Sequence, residues 1–401
     1  MDRVAKTVVG ILAGGGTLPR EIADVLHAAG QDPVIVGLEG EVRPRDFAGH
    51  DFTLVNWGRI GQLIRTFKSK GVTDLVIVGS VTRPDLRAIR TDLGFWTNLP
   101  RIYRIIKAGG DDSVLRRVVG FFEGHGFRVR GPAEVAPVLV IGAGAYGRVD
   151  LSEAARADFE IGRSVVGQLA PFDVGQAVVV AGGEVLAIEG AEGTDAMLKR
   201  VAARRGGARG GVLVKWPKPG QELRVDMPAI GVNTIAGIVA AGLDGIAVQA
   251  GATLAAQRGD MLDAADAAGV FIAGMDAGAV ERVTKTALPD DGAIGLALLD
   301  ALAPRVQSRG VVVVRRHVLA VEAGEGLADL VGRAAGRRQW GKSKKRRGAL
   351  AVRALGDLDQ AVITAAADAG YERIVAGADA PGIAERARAA GLAVEVGGRD
   401  A

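Results

Sequence analysis

The sequence predicts an α/β protein: a Rossmann-like N-terminal domain, a second α/β domain and a degenerate repeat of the second domain at the C-terminus. Three observations carry this. Short apolar runs alternate with segments of helical spacing through the first part of the chain, the rhythm of βαβ units around a parallel sheet. Hydrophobic residues make up 48% of the chain but aromatics only 4%, a composition suited to layers packed from Val, Ile, Leu and Ala. Finally, Val178-Val-Val-Ala-Gly-Gly-Glu-Val-Leu-Ala-Ile-Glu189 returns as Val311-Val-Val-Val-Arg-Arg-His-Val-Leu-Ala-Val-Glu322, with Glu192-Gly193 in register against Glu325-Gly326. A sequence repeated at this length reports a duplicated structural unit.

Taken in order, Thr7–Ala13 reads as an apolar strand that runs into Gly14–Gly16. Glu21–Ala29 has helical spacing, Pro33–Leu38 is a second strand, Arg59–Lys70 a helix and Leu75–Gly79 another strand. Asp111–Gly124 reads as a helix with acidic residues in its first turn, followed by a short strand at Phe127–Val129. Val135–Val149 is apolar and rich in glycine, and Leu151–Leu169 is a helix capped by Ser152. Ala177–Glu189 is a hairpin turning at Gly182-Gly183, then Ala196–Arg204 is a helix with Thr194 or Asp195 as its cap. Val212–Lys215 and Gly245–Gln249 are strands, Thr234–Ala241 and Met261–Ala268 helices, and Val270–Ala273 a closing strand. The expected domains are 1–149, 150–278 and 282–401. In the third, Leu327 and Ala328 stand where the second has Thr194 and Asp195, so this copy retains packing and loses polar groups.

The segment Val212–Gly231 fits neither a core nor a linker. A strand-like start runs into Lys215; two prolines bracket Lys218; Gln221, Glu222, Arg224 and Asp226 follow. Proline fixes φ and removes a donor, so the segment reads as an ordered loop. Two ammonium groups, an amide, a guanidinium and a carboxylate on it suggest a site for phosphate and a divalent cation. Gly14-Gly-Gly-Thr-Leu-Pro19, between a strand and a helix, is either a tight turn or an anion-facing loop at a helix N-terminus. Gly142-Ala-Gly-Ala-Tyr-Gly147 matches G-x-G-x-x-G, the only support for a nicotinamide-nucleotide oxidoreductase. No helix opens at its second glycine, and no strand ending in an acid follows at the required distance, so it reads as a loop. Gly109-Gly-Asp-Asp-Ser113 sets Asp111 and Asp112 at a helix start, where capping and ligand contact both fit. Glu192-Gly-Thr-Asp195 offers a helix N-terminus, a hydroxyl and two carboxylates, suited to a diphosphate and Mg²⁺.

These segments resemble the LpxI-type UDP-2,3-diacylglucosamine pyrophosphatases of Gram-negative bacteria. The resemblance rests on Gly10–Pro19, Thr82–Asp85, Gly109–Ser113, Ala191–Leu198 and Val212–Gly231, which occur in the family's order, and it covers about residues 5–275. It implies Mg²⁺-dependent hydrolysis, with Mn²⁺ as a substitute, of UDP-2,3-diacylglucosamine to UMP and 2,3-diacylglucosamine 1-phosphate for lipid A, in a cleft between the first two domains. It implies substrate contacts at Gly14, Gly15, Gly16, Leu18, Pro19, Arg83, Asp85, Gly110, Asp111, Asp112 and Lys218. Diphosphate cleavage needs charge neutralisation, a metal and an oriented water. Lys215 and Lys218 can neutralise charge, Asp226 is the carboxylate chosen as metal ligand or base, and Thr194, Asp195 and Gln221 would position phosphate or metal. Glu192 and Asp195 join Asp226 as candidate metal ligands. A sugar-nucleotide-binding protein without hydrolysis is the runner-up.

Composition narrows the partners. There is no cysteine, hence no disulfide and no thiolate metal site, and His27, His50, His125 and His317 are scattered. A net charge of +4 favours anionic partners but is too small to imply nucleic acid. No apolar run approaches the roughly 18 residues of a membrane span. The protein is therefore expected in the cytoplasm, peripheral to the inner membrane, with a homodimer as the assembly considered. The basic run Arg337–Arg347, with Trp340, reads as a solvated loop or a weak contact with anionic lipid headgroups.

Overall fold

The computed structural model describes residues 7–82, 89–106, 111–278, 288–336 and 347–397, without the side chains of 106 and 111–113. Arg83, Asp85, Gly110 and most of the basic run Arg337–Arg347 lie outside the described residues. The chain forms two compact units. The first holds residues 1–142 with 220–232 and 250–261; the second holds 143–219, 233–249 and 262–401.

In the first unit the strands are β1 (Val9–Ala13), β2 (Val34–Leu38), β3 (Asp51–Val55), β4 (Asp74–Val78) and β5 (Arg128–Arg130). They form one parallel sheet in the order β3-β2-β1-β4-β5. Helices α1 (Leu18–Ala28), α2 (Ile60–Ser69), α3 (Leu93–Ile106) and α4 (Asp111–Glu123) connect the strands. β1 and β2 are buried along their whole length, as strands covered on both faces must be. β3 and α3 escaped the sequence reading. β3 is an edge strand in which only Val55 is buried, so its hydrophobic signal is weak. α3 carries Gly94 and Pro100, residues that argue against a helix.

The second unit contains two sheets of the same topology. Its strands are β6 (Gly144–Tyr146), β7 (Ala177–Ala181), β8 (Glu184–Ile188), β9 (Val212–Lys215), β10 (Gly245–Gln249) and β11 (Phe271–Met275), then β12 (Gly310–Val314), β13 (His317–Val321), β14 (Ala349–Val352), β15 (Arg373–Ala376) and β16 (Ala393–Val396). The orders are β6-β11-β10-β9-β7-β8 and β13-β12-β14-β15-β16. Leaving β6 aside, the second repeats the first: an antiparallel hairpin beside three parallel strands. Both hairpins carry a bulge at equivalent positions, between Val179 and Val180 and between Val312 and Val313. The tail is thus a degenerate repeat of the middle sheet.

Helices α5 (Glu153–Leu169) and α9 (Asp291–Leu302) are equivalent across the repeat; α6 (Thr194–Arg205), α7 (Val232–Ala240) and α8 (Arg258–Ala268) lie between them in sequence. Ser152 Oγ accepts the Ala155 N–H at 3.1 Å, the predicted cap of α5. Gly162 in α5 and Gly295 in α9 hold the same place. A Cβ on Gly162 would lie 2.5 Å from Val214, and one on Gly295 would lie 2.3 Å from Ala351, so both helices sit too close to their sheets for a side chain. Val165, Val178 and Val214 share one buried cluster with Leu298, Val311, Val313 and Ala351, so the two copies have a common core.

The Gly142–Gly147 motif is not a phosphate loop, and the reading of it as a loop is corrected as well. Residues 144–146 are β6, an antiparallel edge strand on β11. The next helix, α5, starts only at Glu153. No dinucleotide fingerprint is formed.

Four charges join the two copies. Arg200 Nη1 donates to Glu192 Oε1 at 2.7 Å, and the equivalent Arg333 in α10 (Leu327–Ala335) pairs with Glu325. Arg333 also lies 3.4 Å from Glu192, across the repeat. Burial pushes the Glu325 carboxyl up, but Arg333, the Ala323 amide and Arg200 outweigh it and hold it below the ordinary value of 4.5. Removing one partner of such a buried set leaves uncompensated charge. Arg333→Ala should therefore lower the unfolding free energy by about 3–5 kcal/mol in chemical denaturation. The sign with pH follows from the depressed carboxyl. Its contribution is complete above 4.5 and fades as pH falls through the lower folded value. The variant should show a smaller acid-induced loss than the wild type, and equal losses would contradict the assignment.

Candidate active site

The first unit brings its glycine loop to the place where open α/β sheets bind ligands. The chain leaves β1 toward β2 on one side, and β4 lies on the other, so the crevice opens beyond the carboxyl ends of β1 and β4. The Gly14 N–H donates to Val78 O at 2.8 Å, and Gly15 and Ser80 exchange backbone bonds of 2.7 and 2.9 Å. A Cβ on Gly14 would lie 2.4 Å from Ser80 O. Gly14 and Gly15 therefore serve a close backbone approach. Gly16 differs: its φ is +95°, and a Cβ there would meet nothing within 4 Å. Thr17 precedes α1 without a side-chain cap; Pro19 has no N–H, and the Arg20 and Glu21 amides both donate to the Thr17 carbonyl at 3.0 Å. Leu18 packs partly buried against the core, and Pro19 is buried.

A cavity of about 890 Å³ opens beside Gly16 and Thr17 and is lined by Arg20, Arg43, Arg45 and Arg258 as well as by carboxylates. Among the latter, Glu21 accepts the Gln257 N–H at 2.8 Å with one oxygen and keeps the other buried without a hydrogen-bond partner. Glu41 accepts both the backbone N–H and the hydroxyl of Thr82, at 2.8 and 2.5 Å. Sequence reasoning missed these groups because arginines and glutamates spread over distant loops carry no local signature.

Asp226 also belongs to the first unit. Gln221 Nε2 donates to Asp226 Oδ2 and to the Asp226 carbonyl, both at 2.7 Å. The carboxylate is only partly buried and is held in a fixed orientation. Arg224 and Glu222, by contrast, are spent on structure. Arg224 Nε donates to Glu222 at 2.8 Å and Nη1 to Glu123 of α4 at 2.9 Å. The hydrogen bond from Arg224 holds the Glu222 carboxyl below its usual range, and Glu222 in turn raises the Arg224 guanidinium. The guanidinium expected to serve phosphate is thus a tether for the loop. Asp111 and Asp112 begin α4 as predicted, with side chains outside the described residues.

The remaining candidates lie in the second unit. Lys215 is buried at the carboxyl end of β9, between Ala177 of β7 and Val248 of β10. Lys218 Nζ pairs with Asp173 at 2.8 Å. The expected side-chain cap of α6 is not made: Gly193 is the cap residue and bears no side chain to do so. The Thr194 hydroxyl instead donates to Glu189 Oε1 at 2.7 Å, while Glu189 Oε2 accepts the Gln176 N–H at 2.7 Å. Asp195 is exposed in the first turn of α6. Glu189 was not singled out, yet the repeat signals it: Glu322 stands in its place and accepts the N–H of Arg309 and of Gly324.

Of the three expected metal ligands, Asp226 lies in the first unit and Glu192 and Asp195 in the second. Among the described residues no group of three or more His, Asp or Glu could hold a metal ion. Glu192 pairs with Arg200 and Arg333. Asp226 accepts from Gln221, and Asp195 is exposed. The donor chemistry is all oxygen, and Mg²⁺ binds through one or two carboxylates together with substrate phosphates, so these residues fit such an ion. His27 and His50, edge to face with ring centroids 5.8 Å apart, bond to Asp32 and Asp24, and His125 bonds to the Phe121 carbonyl.

Residues 8–139 match the LpxI N-terminal domain and residues 142–273 the LpxI C-terminal domain. The chain is 39% identical over 276 residues to the UDP-2,3-diacylglucosamine pyrophosphatase LpxI of Caulobacter vibrioides, covering 67% of this chain and 97% of that relative.

The role of Glu189 as a brace can be measured. Glu189→Ala strips an acceptor from a backbone amide and from the Thr194 hydroxyl, and should cost about 1–3 kcal/mol of unfolding free energy. Thr194→Val, which leaves the amide bond intact, should cost about 1 kcal/mol. A Glu189→Ala protein as stable as the wild type in denaturant would refute the brace.

Proposed function

The chain belongs to the LpxI family, and from that premise we propose that it hydrolyses the diphosphate of UDP-2,3-diacylglucosamine, releasing UMP and 2,3-diacylglucosamine 1-phosphate for lipid A. The observation that carries the reading is the identity to the Caulobacter enzyme over nearly all of that relative's length. The segment beyond residue 273, which lies outside both family matches, supplies packing and not chemistry.

Hydrolysis of a phosphoric anhydride requires neutralised phosphate oxygens and a water held in line. Asp226 is the group for the water. Gln221 fixes one of its oxygens, and the carboxylate can orient the attacking water and accept its proton. Lys215 and Lys218 supply positive charge, Lys218 steadied by Asp173. Thr194 has committed its proton to Glu189, so its hydroxyl oxygen can only accept a hydrogen bond or face a cation. Gly16, at positive φ with open space around it before the N-terminus of α1, suits the approach of an anion. The free oxygen of Glu21 suits a hydroxyl or imide donor of the nucleoside. Mg²⁺ or Mn²⁺, held by Asp226 or Asp195 together with substrate oxygens, would supply neutralisation of the phosphate charge.

No described helix is long and apolar enough to cross a membrane. We place the enzyme in the cytoplasm, meeting its diacylated substrate at the inner membrane's anionic surface. A homodimer would have to form on a face that the tail leaves open.

Two outcomes follow. Asp226→Ala should lower turnover by about 10²–10⁴-fold with an unchanged circular-dichroism spectrum; a folded variant of near-normal turnover would remove Asp226 from the mechanism. Exhaustive EDTA treatment should abolish activity, and added Mg²⁺ or Mn²⁺ should restore it. Full activity after chelation would exclude the metal.

A further inference from the structure

The exposed face of α3 has no role in the site described above. Leu93 is 77% exposed, Trp96 59%, Leu99 39% and Tyr103 54%. At 3.6 residues per turn these four fall within about 120° of arc, while Asn98 and Ile105 lie on the opposite, packed side. Arg104 borders the stripe, and Arg101 follows it round the helix toward the packed side. With Arg116 and Arg117 of α4 they line a cavity of about 570 Å³, floored by Ile105 and Phe121. No carboxylate lines this cavity among the described residues. Arg101 donates to the Asn98 amide oxygen at 3.4 Å and Arg104 to the Pro100 carbonyl at 3.3 Å, while Arg117 donates to the Arg104 carbonyl. These partners are neutral. Arg116 also acts on the Glu222 carboxyl, which is held below its usual range chiefly by its bond to Arg224.

We propose that α3 and the arginine cavity form the surface by which the protein docks on an anionic bilayer. Trp and Tyr are the side chains that settle at a membrane–water boundary, with an apolar body and a polar tip. Leu93 and Leu99 add apolar area on the same side. The arginines meet lipid phosphates, which guanidinium groups bind in bidentate fashion. An amphipathic helix with this division lies in the interface plane and does not span it. The proposal rests on the hydrolase reading only in supplying a reason for the contact, since a substrate with two acyl chains resides in a membrane.

The test is co-sedimentation of the full chain with phosphatidylcholine vesicles and with vesicles also containing phosphatidylglycerol. The wild type should bind the anionic vesicles, less so as salt rises. Trp96→Ser/Tyr103→Ser should weaken binding about tenfold or more, and Arg101→Gln/Arg104→Gln should abolish the preference for phosphatidylglycerol, all with unchanged circular dichroism. Hydrolysis of substrate dispersed in neutral detergent should stay at the wild-type rate in both variants, because none of these residues belongs to the site. Failure of the wild type to bind anionic vesicles, equal binding by the variants, or a dimer in size-exclusion chromatography that Trp96→Ser/Tyr103→Ser dissolves would overturn the proposal. A protein that binds vesicles as described but hydrolyses nothing would count against the hydrolase reading and leave the surface standing.

Discussion

A mostly parallel sheet has two apolar faces, and both must be covered. In the second unit this requirement decides the rest. β7, β9 and β10 are built from Val, Leu, Ile and Ala and are almost wholly buried. α5 lies on this sheet at the distance Gly162 allows, and its outer side meets α9 of the tail. The core closes only when Leu298, Val311 and Ala351 from the tail join Val165 and Val214. The tail is therefore a cover made from the fold it covers. It has kept what covering needs and replaced Thr194 and Asp195 by Leu327 and Ala328.

The same logic separates polar groups that hold the structure from polar groups left to act. Arg200, Glu192, Arg333 and Glu325 are bound to one another. Arg224 is bound between Glu222 and Glu123, and Glu189 between a backbone amide and a hydroxyl. The mechanism that we propose draws on other groups at strand ends and loops, among them Gly16, Lys215, Asp195 and the oriented carboxylate of Asp226. A diphosphate hydrolase needs little more, because it works mainly by positioning and charge.

Much of this was legible in the sequence, for identifiable reasons. Val212–Lys215 and Gly245–Gln249 were placed to the residue because each is a continuous apolar run bounded by turn-forming residues. The duplicated hairpin was legible because its side chains pack against equivalent neighbours in both copies. β3 was not, since an edge strand with a single buried residue shows no alternation. Nor was α3, whose apolar residues face outward and whose interior holds a proline. In the site, the chemistry of the Lys215–Asp226 segment could be seen, but not the division of labour within it. Whether Arg224 meets a phosphate or Glu123 depends on a helix about a hundred residues away in the chain. The cap of α6 misled for a related reason: a buried glutamate one turn back outbid the backbone for the Thr194 hydroxyl.

The central claim is that these residues serve cleavage between two phosphates. The direct measurement is mass spectrometry of the products after the purified full chain is incubated with UDP-2,3-diacylglucosamine and Mg²⁺. The account predicts UMP and 2,3-diacylglucosamine 1-phosphate in equal amounts. Unchanged substrate, or UDP with free diacylglucosamine from cleavage at the sugar, would contradict it.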